Sequence, residues 1–233
     1  MLKAICRRPV ACSLVIISIL LSFGFSKTTQ AAQVDSGMWI NPKVSKSLGN
    51  DWSLGAAAEV RTFHDFKSWN QFLFHLYAKK NLTKNLSLLA GVSYMGTLRQ
   101  TMIDEYRPWQ AIALKLPCDF ATFTLQEKLE ERFYPGYTQE FALRSRSLFA
   151  IEKDLGFTDV AKFVASDEFF VSFNNTDWGS QRPLDQNRIK VGLKFPKLAP
   201  FDFVVSYQNQ HLFRKNAADL NVNLIVLEAG LKL

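Results

Sequence analysis

Cysteine is almost absent from this sequence of 233 residues, which has only 3, and histidine is equally rare. Two of the cysteines, Cys6 and Cys12, fall within the first 32 residues, so a chain that loses that stretch keeps Cys118 alone. A single cysteine excludes both a disulfide inside the processed chain and a cysteine-based metal cluster. With 11 Gly and 8 Pro, collagen-like and low-complexity classes are excluded as well. No apolar run reaches the roughly 20 residues that a membrane helix requires, and a mean hydropathy of −0.04 excludes a bundle of such helices. What the chain does have is 48% hydrophobic against 21% charged residues, enough for a folded core, and an unusual supply of aromatics, 20 Phe among them.

Residues 1–32 read as a secretory signal peptide. Lys3, Arg7 and Arg8 precede an apolar stretch from Ser13 to Phe25, and Thr29-Gln30-Ala31 supplies small residues for cleavage after Ala31 or Ala32. Removing the leader takes four basic residues and no acid, so the formal charge of +7 falls to +3, with 24 basic against 21 acidic residues. A balance that small gives no reason to expect nucleic acid as a partner.

The remainder, residues 33–233, alternates with period two along most of its length, the signature of strands with two different faces. Trp52, Leu54, Ala56, Ala58 and Val60 share one face, with Glu59 and Arg61 on the other. Ile189, Val191, Leu193 and Phe195 oppose Arg188, Lys190 and Lys194 in the same way. The alternating segments run to about 10–14 residues, longer than the five or six usual in globular strands and sufficient for tilted membrane strands. Connections alternate between short ones (near 49–51, 83–85, 117–119, 153–158 and 196–200) and longer ones (near 64–70, 99–106, 134–138, 174–186 and 214–220). That is the plan of an all-β, antiparallel, up-and-down transmembrane barrel. Trp39, Trp52, Tyr94, Trp109, Tyr134, Tyr137, Trp178, Phe201 and Tyr207 fall near strand ends and suggest interfacial aromatic girdles. A soluble barrel with an apolar interior would alternate in the same way.

Two features resist this plan. Glu127 and Asp167 fall on faces that are otherwise apolar, and a β-bulge shifting the register is expected to resolve each. Strand parity is the second. Segments from Asp51 to Leu233 give ten strands and Met38–Leu48 an apparent eleventh, whereas a barrel with both chain ends on one side needs an even number. About ten strands are expected, twelve as the alternative; with ten, Met38–Leu48 becomes a lead-in segment or a plug.

The polar face collects Glu59, Arg61, Arg107, Lys128, Glu130, Arg132, Arg144, Arg146, Glu168, Arg188 and Glu228. The stretches that carry these residues are Glu59-Val-Arg61, Glu105-Tyr-Arg-Pro-Trp-Gln110, Glu130-Glu-Arg-Phe133, Leu143-Arg-Ser-Arg146, Asp167-Glu-Phe-Phe170 and Gln186-Asn-Arg188. In this order they resemble the bacterial family of unknown function called DUF2490. The resemblance implies an outer-membrane β-barrel and brings no catalytic residues with it. It departs from the family pattern at Gln126 and Lys128, where arginines are expected.

Glu59, Arg61, Arg107, Glu130, Arg132, Arg144, Arg146, Glu168, Arg188 and Glu228 are the candidate site residues, read as a charge network in the lumen. A narrow barrel fills with its own side chains, and arginine forks pair with carboxylates. The functional version of the same face is an anionic ligand site or polar path along Arg107, Arg144, Arg146 and Arg188. No catalytic constellation, phosphate loop or metal-ligand spacing emerges. His64, His75 and His211 stand far apart in the sequence. The leading expectation is a non-enzymatic outer-membrane barrel without cofactor or metal. Its partners would be outer-membrane lipid, lipopolysaccharide, the barrel-assembly machinery during insertion, and a small-molecule ligand of unknown identity. A surface lipid or peptide hydrolase and a narrow channel for small anionic solutes are the alternatives, with a secreted soluble ligand-binding barrel behind them.

Overall fold

An isolated strand leaves its backbone N–H and C=O groups unpaired, and in lipid only closure of the sheet satisfies them all. The computed structural model describes residues 32–98, 102–136, 140–158, 160–178, 183–198, 201–215 and 217–233. Eleven strands close into one barrel. They are β1 (Gln33–Gly49), β2 (Trp52–Phe63), β3 (Ser68–Asn81), β4 (Leu86–Leu98), β5 (Met102–Pro117) and β6 (Thr122–Phe133), followed by β7 (Phe141–Asp154), β8 (Lys162–Ser172), β9 (Leu184–Leu198), β10 (Phe201–Leu212) and β11 (Leu220–Lys232). The described residues include no helix. The proposed leader lies outside them except for Ala32.

The count corrects the expectation of ten or twelve. Met38–Leu48 is neither lead-in nor plug but most of β1, the longest strand at 17 residues. β1 pairs antiparallel with β2 and parallel with β11, in register from Gln33↔Leu220 to Ser45↔Lys232. The parity rule fails because its premise does. β1 begins at the same end of the barrel as β11, so Gln33 and Leu233 lie at opposite ends, and an odd number closes through one parallel seam. The contrast between connections is also milder than expected. β5 begins at Met102, which reduces the longer connection at 99–106 to 99–101.

The outward face is apolar. Phe74, Leu76, Val92, Phe149, Val205 and Ile225 all project from mid-strand and are exposed, Leu76 at 62%. A soluble barrel would bury that face, so this is the surface of a barrel embedded in lipid. Trp52, Phe201 and Tyr207 belong to it, as does Tyr94, whose ring contacts Phe74 and Tyr106. Trp39 and Trp109 do not: at 2% and 6% exposure they are lumen residues, a correction to the girdle assignment. Trp178 faces the interior too, where its ring meets that of Tyr134. Tyr137 lies outside the described residues.

No bulge rescues Glu127 or Asp167. The register of β6 with β7 and of β7 with β8 runs unbroken past both. Instead, neighbouring outward side chains satisfy the carboxylates. Ser145 and Ser147 of β7 donate hydroxyl hydrogens to the two oxygens of Glu127 at 2.7 and 2.5 Å. Asn187 of β9 donates an amide hydrogen to Asp167 at 2.5 Å.

Inside, large residues alternate with small ones around the wall. Gly55, Tyr77, Gly91 and Trp109 are consecutive partners across β2 to β5. A side chain at Gly55 would strike the Tyr77 ring, and one at Gly91 would strike the Trp109 ring. Each glycine therefore gives its neighbour the space to lie flat against the wall. Cys118 closes the β5–β6 turn with its N–H on the Ala121 carbonyl at 2.8 Å. Cys6 and Cys12 lie outside the described residues.

Candidate functional site

The stretches noted in the sequence owe their pattern to strand geometry. Residues two apart on a strand share a face, so each stretch turns a pair of side chains inward: Glu59 with Arg61, Glu105 with Arg107, Glu130 with Arg132, Arg144 with Arg146, Glu168 with Phe170, and Gln186 with Arg188. Strand pairing then brings Glu130 opposite Arg144 and Glu168 opposite Arg188.

On the wall formed by β5 to β8 the charges are matched. Glu105 accepts from Arg107 at 2.7 and 2.9 Å and from Arg132 at 2.5 and 3.2 Å. Glu130, only 2% exposed, takes Arg144 on one oxygen at 2.7 Å and Arg146 on the other at 2.8 Å. Arg146 continues to Glu168 at 2.7 and 2.9 Å, and Arg144 reaches Asp185 of β9 at 3.0 Å. Every carboxylate in this chain holds guanidinium donors, the condition under which buried charges are tolerable. Phe170, fully buried, lies beneath Arg144, Arg146 and Arg188, whose guanidinium carbons stand 5.0, 4.7 and 4.6 Å from its ring centre.

The opposite wall, from β9 through β11 and β1 to β2, is built differently. Trp39 packs with Val222, Leu224 and Val226 in an apolar patch that faces the lumen. Arg61 and Arg188 both lie over the Trp39 ring, at 4.0 and 4.8 Å. Arg61 is paired with Glu59 on its own strand and donates to Gln71 at 3.1 Å. Arg188 is poorly matched. Its nearest carboxylate, Glu168, is 3.7 Å away and already engaged by Arg146. Beyond that it donates only to the side-chain carbonyl of Gln186. Trp39 Nε1, Gln208 Nε2 and Gln210 Oε1 are buried without a hydrogen-bond partner among the described residues.

Glu228 stands apart from the arginine group. It joins Lys190 and Lys43 at 2.7 and 2.8 Å, one layer nearer the β9–β10 turn. Sequence reasoning omitted Glu105 as an acceptor, although it lies in a noted stretch, because pairing of β5 with β6 had to be known before Arg132 could be assigned to it. Phe170 and Trp39 were omitted as aromatic supports: by alternation alone an inward aromatic looks like core. Lys128, placed inward, lies over Trp109 at 4.0 Å.

Above the ion pairs, toward the connections 64–67, 173–183 and 213–219, the lumen opens into a cavity of about 1130 Å³. Arg61, Arg107, Arg132, Arg144 and Arg188 form its floor, while Phe63, Leu212 and Leu220 form an apolar side. At its rim His64, Asp65 and Phe66 all have positive φ (53°, 54° and 67°), a costly conformation for residues other than glycine. Asp35 offsets part of this by accepting the N–H groups of His64 and Asp65 at 3.2 and 3.1 Å.

Each histidine has its own polar partner. His64 meets Ser68 at 3.0 Å, and His211 meets Asn221 at 2.7 Å and Asp219 at 3.3 Å. His75 Nδ1 lies 2.6 Å from Ser93 Oγ. Trp109 donates its indole N–H to the same Ser93 oxygen at 3.0 Å. Neither Ser93 nor His75 lines the cavity. Among the described residues no group of three or more His, Cys, Asp or Glu is arranged to hold a metal ion.

Comparison with known proteins agrees with this architecture. An uncharacterized protein of Methylorubrum extorquens is 26% identical over 198 residues, covering 82% of this chain and 84% of its own length. Among solved structures, a NanC porin in a rhombohedral crystal form superposes with a TM-score of 0.52 at 12% identity, covering 80% of this chain and 94% of the porin. That likeness is one of fold. Residues 36–221 match the family described as protein of unknown function DUF2490, and the chain belongs to that family.

Proposed function

We propose that this chain is an outer-membrane β-barrel without enzymatic activity, its lumen closed by an ion-paired layer of side chains rather than open as a wide pore. The observation that carries this reading is Glu130. It is almost fully buried, holds Arg144 and Arg146 together, and through Arg146 is joined to Glu168 on the next strand. A connected, desolvated network of that kind braces the interior. The apolar outer face and the leader support outer-membrane placement, with lipid and lipopolysaccharide as surroundings and the barrel-assembly machinery as the insertion partner. The environment of Ser93 and the separate engagements of the three histidines speak against the hydrolase alternative. The arginine floor of the cavity favours, as a second reading, a narrow path for small anions.

Planar-bilayer conductance tests the proposal. The wild type is expected to show no steady porin-sized conductance, and Arg146→Leu to introduce a small leak. A steady, wide conductance in the wild type would refute the closed lumen. A small anion-selective conductance would promote the second reading. Heat-modifiable migration of the membrane fraction checks the placement, and recovery only in the soluble periplasm would end it.

A further inference from the structure

The cavity at the end bearing the connections 64–67, 173–183 and 213–219 has two unlike surfaces in contact. Its floor presents guanidinium groups, and beside them Phe63, Leu212 and Leu220 pack onto the apolar patch of Trp39, Val222 and Leu224. Most of the floor is already satisfied, since Arg107, Arg132 and Arg144 hold Glu105, Glu130 and Asp185. Arg188 is the exception, facing the cavity with its closest carboxylate at 3.7 Å, beyond hydrogen-bond reach. Next to it Arg61 lies over the same Trp39 ring. Glu59, paired with Arg61, is the carboxylate beside them, and Glu168 is shared with Arg146, so the two guanidinium groups are only partly balanced. Gln210 lines the cavity, and its buried amide oxygen and the Trp39 indole N–H have no hydrogen-bond partner among the described residues.

We infer that this corner is a binding site for a small soluble molecule in which an oxyanion, carboxylate or phosphate, is joined to an apolar or aromatic body. Arg188 anchors the oxyanion through Nη1, the nitrogen that Gln186 leaves unengaged, with Arg61 supplying the second positive charge. The body lies along Phe63, Leu212 and Leu220. The chemistry follows from what the site leaves unmatched: surplus cationic charge and an apolar wall. The site goes beyond the closed-lumen reading. A wide conductance would overturn that reading and leave the binding test intact.

The test is equilibrium binding to the refolded full barrel in detergent, read by tryptophan fluorescence and by ligand-induced shifts in unfolding temperature. The probes are benzoate, phenyl phosphate and the neutral isostere benzamide. At least one of the two anions is expected to bind more tightly than benzamide, and whichever binds more tightly identifies the oxyanion. Arg188→Leu should weaken that binding about tenfold or more, the loss expected for charge-assisted hydrogen bonds. Arg188→Lys should fall in between, and Lys232→Leu, at the far end of the barrel, should change nothing. Three results would overturn the inference: benzamide binding as well as the anions, unchanged anion affinity in Arg188→Leu, or failure of that variant to fold, which would make Arg188 a brace.

Discussion

The two walls of the lumen are made from the same residue types and solve different problems. On β5 to β8 the inward carboxylates of the arginine layer are held by guanidinium groups: Glu105 by two arginines, Glu130 by two, and Glu168 by Arg146 on one of its oxygens. Across the barrel, Arg61 and Arg188 share an aromatic ring, and three buried polar atoms on Trp39, Gln208 and Gln210 have no partner among the described residues. Desolvating a charge is tolerated where partners are fixed in advance. The first wall therefore reads as a brace, its pairs formed once and not exchanged. The second retains unused hydrogen-bonding capacity and is the side on which a ligand can add contacts without breaking existing ones.

The strongest way to break this comparison is to remove the centre of the brace. Glu130→Ala leaves Arg144 with Asp185 and Arg146 with Glu168, but takes away the acceptor that joins them in a buried position. Breaking a buried charge pair from one side costs about 3–5 kcal/mol. Urea unfolding of the refolded barrel in detergent should register a loss of that size. A loss below about 1 kcal/mol, the scale of an exposed pair, would mean that the wall is hydrated and not a brace.

Glu105→Gln probes the same wall more gently. The amide keeps the shape and one acceptor but loses the charge facing Arg107 and Arg132. The expected cost is about 1.5–3 kcal/mol, the range for hydrogen bonds to charged groups. Because Arg132 gives up the same partner, Arg132→Leu combined with Glu105→Gln should cost less than the two single changes added together. Strict additivity would show that Glu105 and Arg132 do not act as a unit.

The sequence revealed the inward face of this barrel but not who meets whom across it. Alternation assigned Arg144, Arg146, Glu168 and Arg188 to one face because side-chain direction follows directly from strand period. It could not separate the saturated Glu130 from the poorly matched Arg188, because that difference depends on the register between β6, β7, β8 and β9, which no single strand encodes. The strand count failed for a related reason. β1 looked surplus because evenness was required of the whole, and the parallel seam with β11 pairs segments at opposite ends of the chain, out of reach of any local pattern. Glu127 and Asp167 show the same limit on the outer face. Their partners Ser145, Ser147 and Asn187 are about 20 residues away in sequence and adjacent only once the sheet has formed.

Two tryptophans give the finest test of the comparison, because they differ in little besides their wall. Trp109 on β5 and Trp39 on β1 are both nearly buried, and each carries a cation at 4.0 Å from its ring centre, Lys128 on the one and Arg61 on the other. Their indole nitrogens differ. Trp109 donates to Ser93 at 3.0 Å, while Trp39 has no acceptor among the described residues. Replacing either with Phe keeps an aromatic face beneath the cation and removes a similar volume. The cavity costs should therefore nearly cancel between the two variants, leaving the hydrogen bond. Trp109→Phe should be less stable than Trp39→Phe by about 1 kcal/mol, the usual net worth of such a bond, in urea unfolding without ligand. Equal losses would mean that the Trp39 N–H is satisfied after all, and the wall of β9 to β2 would then be as complete as the one it faces.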